Sequence, residues 1–238
     1  MNKVSKVNFA QDQLGILWNC SSHLFNQNEN VFIESDDTFF NIITFGKNAV
    51  IKADPLIYEW CIKNFSKTPA RFIIDRENLF AIEAKLREFG KMLGGEQVRY
   101  LYLDNNKSIH KPCDYEYKLF DKDNIKDLYA NKDFSNALNF RNDVIAFGAY
   151  KENKLVALAG ADDTMGKLWQ IGIDTIPEHR NKGLAAYLVK TLADEIEKCG
   201  MMPFYTTWSP NIASTTVALN TGFFPIWVSY VAQDISET

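Results

Sequence analysis

Arg180, Asn181, Lys182 and Gly183 stand together in a turn that leads from an apolar stretch, 168–175, into a long amphipathic one, 183–199. A strand ending in a glycine-bearing, basic loop at a helix N-terminus is suited to holding phosphates. Backbone N–H groups converge there, the helix dipole adds partial positive charge, and Arg180 and Lys182 bring full charges. The pattern Arg-x-x-Gly-x-Ala, closed by Leu184 and Ala185, is short. A tight turn that binds nothing would satisfy it equally.

The flanks add to it. Gly172 interrupts the strand pattern, which marks a bulge or a close backbone approach. A bulge would leave main-chain groups of Ile173 and Thr175 free to pair with an extended ligand. Downstream, Ser209-Pro210-Asn211 turns into a short helix that closes on Gly222-Phe223. A ligand with a pyrophosphate on the loop could then lay an amide-bearing arm along 168–175, its tip near Asn211.

The polar residues around this frame have two readings each. Asp174 alternates with Ile173 and Thr175 and could hold a water that receives a proton, or be a solvated or turn-capping carboxylate. Asn211 is a helix cap or a ligand contact, and Ser214 a small packing residue or a hydroxyl donor. Tyr205 lies on the strand expected at 202–208. Glu178 and His179 read as surface residues beside the loop, and Trp208 as a core residue.

The elements that must position these groups follow from periodicity and punctuation. A loose helical stripe covers 8–24, and strands at 38–45 and 49–52 flank the turn Gly46-Lys47-Asn48. Asp54-Pro55 starts a helix to about Phe65. A short strand is expected at 71–74, a helix capped by Asp75 that ends near Gly90, and a strand at 98–103. The polar run 104–112 is the expected boundary between an N-terminal domain, 1–110, and a second domain, 111–238. In the latter, strands are expected at 115–120, 144–150, 155–161, 168–175, 202–208 and 224–231. Helices are expected over 121–140, 183–199 and 211–220. The fold class is α/β (α+β), with a mixed, mostly antiparallel central sheet flanked by helices, beside a smaller N-terminal α/β domain.

The chain has 238 residues, 46% hydrophobic and 24% charged, ordinary for one large or two small domains. A net charge of −4 argues against a nucleic-acid binder with a diffuse basic surface. No apolar run reaches the ~18 residues that span a bilayer, so no membrane partner is expected. The four cysteines are scattered and read as reduced and structural, which points to a cytoplasmic protein. The three histidines show no metal spacing, and no metal is expected.

The run IDTIPEHRNKGLAAYLVKTLADEIEKCGMMPFYTTWSPNIASTTVALNTGFFP resembles the GNAT superfamily of acyl-CoA N-acyltransferases. It is most similar to the subfamily with a GLA loop and an N-x-x-S-x-x-x-A-x-x-x-G-F ending. The resemblance is strong over 168–225 and fair over 115–167 and the N-terminal part. It implies acetyl-CoA as donor, the pyrophosphate on the backbone from Asn181 to Ala185 with Arg180 beside it. It implies a pantetheine arm on the main chain of Ile173 and Thr175, and a small-molecule amine as acceptor. The superfamily's usual general-acid tyrosine falls on Ala218, so Asn211, Ser214 and Tyr205 are the substitutes. A non-catalytic acyl-CoA sensor on the same fold is the alternative, and a monomer or homodimer is expected.

Overall fold

A computed structural model describes residues 2–235. In chain order its elements are α1 (Lys3–Leu17), β1 (Val31–Glu34), β2 (Phe40–Thr44), β3 (Ala49–Ala53), α2 (Pro55–Phe65), α3 (Ala70–Ile73), α4 (Arg76–Arg87), β4 (Lys91–Leu93) and β5 (Gln97–Tyr102). Then come β6 (Glu116–Asp121), β7 (Asp143–Lys151), β8 (Lys154–Met165), β9 (Leu168–Thr175), α5 (Leu184–Lys198), β10 (Met202–Thr207), α6 (Ile212–Thr221) and β11 (Phe223–Asp234).

The chain divides into two compact units. One takes the residues up to 17 together with 100–225, and the other takes 18–99 and the residues from 226 on. This differs from a single cut near residue 110, because α1 belongs with the C-terminal elements. Lys6 of α1 is 4% exposed, and its ammonium donates to the Tyr102 carbonyl at 2.7 Å and pairs with Glu197 at the end of α5. A buried charge is costly unless paired and hydrogen-bonded, and Lys6 has both. The Tyr102 hydroxyl in turn donates to Asp194 at 2.6 Å.

The unit that carries the phosphate-loop motif is built on strands in the order β6-β7-β8-β9-β10. All of these neighbours are antiparallel except β9 and β10, which run parallel. Its helix α5, of 15 residues, packs on β7, β8 and β9. Leu184, Leu188, Val189, Leu192, Ala193 and Ile196 form the buried stripe of α5 at the helical spacing. A mostly antiparallel sheet flanked by helices is therefore the observed fold class.

The other unit orders its strands β1-β3-β2-β11, with β4 also pairing with β11. Its core joins Phe40, Ile42 and Ile51 to Ile57, Cys61 and Phe65 of α2 and to Ile82 and Leu86 of α4. The caps act as their types suggest. Asp54 accepts from the Leu56 N–H at 2.9 Å, and Asp75 from the Asn78 N–H at 3.1 Å.

Several expected elements are corrected. Residues 71–74 are not a strand: Ala70 and Ile73 are buried three apart on a short helix that starts after Pro69. Burial on one helical face overrides the β-branched run. Residues 121–140 are not a long helix but two short 3-10 turns, Ile125–Leu128 and Lys132–Phe134. The side chains there compete for backbone N–H groups. Asp121 accepts from Asp123 and Asn124, Asn131 from Asp133, and Asp143 from Asn139 and Phe140. The first helix starts earlier than expected, at Lys3, where Asn2 accepts from the Ser5 N–H at 2.9 Å. Strands β1 and β4, of four and three residues, had no periodic signal.

Cys61 is fully buried, and burial pushes its thiol up to about 12, whereas Cys113 and Cys199 are exposed. The thiolate is the reactive form, and in the native state Cys61 reaches it only near that value. At about pH 8 a maleimide should modify Cys113 and Cys199 in the native protein and Cys61 only after unfolding. Peptide mass spectrometry of the labelled chain checks this.

Candidate functional site

The parallel pairing of β9 with β10 stops early. It runs from Leu168 beside Met202 to Ile171 beside Tyr205, and Gly172–Thr175 have no partner on β10. On its other edge β9 stays paired with β8 as far as Thr175. The Ile176 N–H donates to the Val156 carbonyl at 3.0 Å. Because strand main-chain groups alternate in direction with period two, Asp174 and Gly172 also use theirs on β8. Those of Ile173 and Thr175 are aimed at the open edge.

Sequence reasoning attributed that freedom to a bulge at Gly172, and the structure does not. Gly172 sits in regular register with Gly160. The unpaired groups exist because β10 leaves, and the glycine serves a close approach. A Cβ at Gly172 would lie 1.9 Å from the Asn136 carbonyl oxygen, and one at Gly160 would lie 2.1 Å from that of Ala137. The paired glycines make a shallow channel across two strands, and residues 136–137 lie in it.

Asp174 fastens that segment. One carboxylate oxygen accepts from the Asn136 N–H at 2.7 Å and the Ala137 N–H at 2.9 Å. The other accepts from the Asn136 side-chain amide at 2.8 Å. Three of the carboxylate's roughly four acceptor positions are thus taken by neutral amides. Of the two readings of Asp174, these bonds correspond to the capping one, here as a clamp on residues 136–137.

After β9 the chain passes a single turn, Pro177–His179, and reaches the basic loop. Asn181 (φ 58°) and Gly183 (φ 79°) both adopt the left-handed conformation, which turns successive N–H groups to one side. The first intrahelical bond of α5 is from Tyr187 to Gly183, at 3.1 Å. The N–H groups of Leu184, Ala185 and Ala186 therefore have no partner within the helix. The Leu184 side chain is buried and anchors the turn. Arg180 is exposed, and its Nε donates to the Thr175 carbonyl at 3.0 Å, which fixes the guanidinium beside the open edge.

These groups line one cleft of about 870 Å3, bounded by β9, the loop, the start of α5, Tyr205 and Thr206 of β10, and α6. Ile173, Asp174, Thr175, Arg180, Asn181, Gly183, Leu184, Ala185, Tyr205, Asn211 and Ser214 all line it. Lys182 does not. It lies in a neighbouring hollow of about 520 Å3 with His110, Cys113, Tyr115 and Lys151. His179 lines both, and its Nδ1 is 2.9 Å from the Tyr115 hydroxyl. Trp208 is 55% exposed, so the expectation of a core tryptophan fails, and it lines neither. Glu178 is exposed, as expected.

Asn211 caps α6, accepting from the Ser214 N–H at 3.1 Å. Ala218 is fully buried. Tyr205 is 2% exposed, and burial foremost holds its phenol above the ordinary value. A hydrogen bond with the Ser214 side chain opposes this, and the nearby Asp174 charge reinforces it. The phenol stays protonated through neutral pH.

Residues 54–226 match the GNAT acetyltransferase family. The chain belongs to that family. No curated protein matches it in sequence. Its structure is similar to that of a GCN5-related N-acetyltransferase-like protein from Streptococcus suis, with a TM-score of 0.54 at 12% identity over 97% of this chain and 99% of that one. A GNAT-family protein from Novosphingobium aromaticivorans gives 0.48 at 17% identity over 60% of this chain and 66% of that one. A GNAT-family acetyltransferase from Colwellia psychrerythraea gives 0.42 at 14% identity over 59% and 57%. The chain spans less than two thirds of the length of the last two.

Asn136, Gln170 and Thr206 line the cleft of this GNAT protein and were not singled out from its sequence. For Asn136 the available signal was the glycine pair, Gly160 and Gly172, which implies a segment crossing the sheet. Gly172→Ala should therefore cost about 3 kcal/mol, because a backbone carbonyl must move. Gly95→Ala, where a Cβ meets nothing within 4 Å, should leave stability nearly unchanged. Urea unfolding of the two variants checks this.

Proposed function

We propose that this GNAT protein is an N-acetyltransferase that moves an acetyl group from acetyl-CoA to the primary amine of a small acceptor. The observation that carries the reading is the early parting of β9 and β10 next to the N-terminus of α5. It offers edge N–H groups for amides and, one turn away, a left-handed loop for a pyrophosphate. The cleft residues fit such a donor. Asn181 to Ala185 would hold the pyrophosphate, with Arg180 neutralising part of its charge. Ile173 and Thr175 would pair with the pantetheine arm, and Asn211, the cap of α6, and Ser214 line the same cleft. Lys182 lies outside this set, in the adjoining hollow.

The donor supplies an activated thioester carbonyl. The amine nitrogen attacks its carbon, the C–N bond forms, the C–S bond breaks, and the sulfur leaves with the electron pair. An amine of pKa about 10 must shed a proton to attack, and solvent reaching the open cleft can take it. The sulfur needs a donor, and Ala218 has none. Tyr205 meets that need: it is protonated and buried at the point where the strands part, and the proton it gives to sulfur is restored through solvent by the one the nitrogen gives up as the amide forms. The superfamily's usual hydroxyl position is thus replaced by one on the neighbouring strand.

Two outcomes test the donor half and the proton donor. Gly183→Glu, which puts a carboxylate and a strained left-handed residue into the loop, should abolish CoA binding in calorimetry. Unchanged affinity would remove the loop from the reading. Tyr205→Phe should lower the rate of thiol release from acetyl-CoA with an accepted amine on the order of 100-fold and leave CoA affinity intact.

A second reading draws on Ala218 and on the engagement of Asp174 as a clamp. In it the same cleft binds an acyl-CoA as a sensor, without transfer. CoA binding with no thiol release across a broad panel of amines would favour it.

A further inference from the structure

The segment 136–137 is held more firmly than a wall needs. Asp174 takes three hydrogen bonds from two consecutive residues, and two glycines are placed to admit them. The clamp also fixes how the Asn136 carboxamide is turned. An ionised carboxylate only accepts, so the amide nitrogen must face Asp174 and the amide oxygen must face away. Asn136 is exposed and lines the cleft beside Gly172. Its Oδ1 accepts no hydrogen bond among the described residues.

We propose that Asn136 is the acceptor-side contact of this site: its Oδ1, aimed by Asp174, accepts an N–H from the primary amine that is to be acylated. The inference rests on the amine-acylation reading above. Two features favour an amine over a hydroxyl or carboxylate ligand. The group offered is an acceptor, which suits an N–H donor. The charge of Asp174 meets only neutral amides on Asn136 and Ala137, so this wall keeps a net negative charge that draws an ammonium group in. Asn136 would touch the substrate, while Asp174 acts through it as a positioning residue.

Asn136→Ala removes the oxygen but keeps both main-chain hydrogen bonds to Asp174. With an amine that the wild-type protein acetylates, it should raise the KM for the amine about tenfold. Its kcat, its KM for acetyl-CoA and its melting temperature should change little. Asp174→Asn leaves fewer acceptor positions for three donors. It should raise the amine KM similarly while lowering the melting temperature. Because that variant can lose the loop altogether, Asn136→Ala is the deciding one. An unchanged amine KM in Asn136→Ala, with the wild-type protein active, overturns this proposal and leaves the acetyltransferase reading standing. Wild-type protein that binds CoA and acetylates no amine in the panel overturns both.

Discussion

The parting of two parallel strands organises the unit that carries the site. While β9 and β10 stay paired, as far as Ile171 and Tyr205, their main-chain groups satisfy one another. Beyond that pair the edge of β9 has no partner on β10, and of its outward carbonyls that of Thr175 accepts from Arg180. Unused main-chain groups at the open end of a sheet are a template for an extended partner. The loop at Asn181 to Gly183 then turns a second set of unused N–H groups, those of the first turn of α5, toward the same space. The departure of β10 thus opens the edge of β9, and the loop brings the start of α5 to the same cleft.

The opposite wall is fixed by a different device. Gly160 and Gly172 remove two side chains from adjacent strands, and the backbone at 136–137 fills the space. Asp174 then ties that backbone down with neutral donors. A segment of short turns, with no long helix to stiffen it, is thereby held against a rigid sheet. This suits a recognition surface, since loops positioned by a scaffold can vary without disturbing the strands beneath. The carboxylate that the sequence leaves as either a water holder or a cap holds shape here.

Ala218 and Tyr205 lie in different elements near the same cleft. The position four residues before Gly222 is a buried alanine, which contributes packing and no chemistry. Tyr205, one strand away, is buried and lines the same cleft as Ser214. Burial holds its phenol above the ordinary value, so it is protonated at neutral pH.

Local patterns in the sequence determined the basic loop and the elements that flank it. A glycine at a helix start, basic neighbours, an Asn-x-x-Ser cap and the helical stripe of α5 act over a few residues, and their physics is read from spacing alone. Strand β9 and helices α2, α5 and α6 follow in the same way. Tertiary structure decided the rest. Residues 71–74 became a helix because Ala70 and Ile73 share a buried face, and 121–140 became turns because Asp and Asn side chains captured the backbone. The free edge of β9 came from the departure of a strand thirty residues on, where sequence reasoning placed a bulge. Asn136 entered the cleft only because it crosses glycines from strands distant in the chain. Such pairings join residues far apart in sequence, so no periodicity or spacing records them, and only the folded packing makes them neighbours.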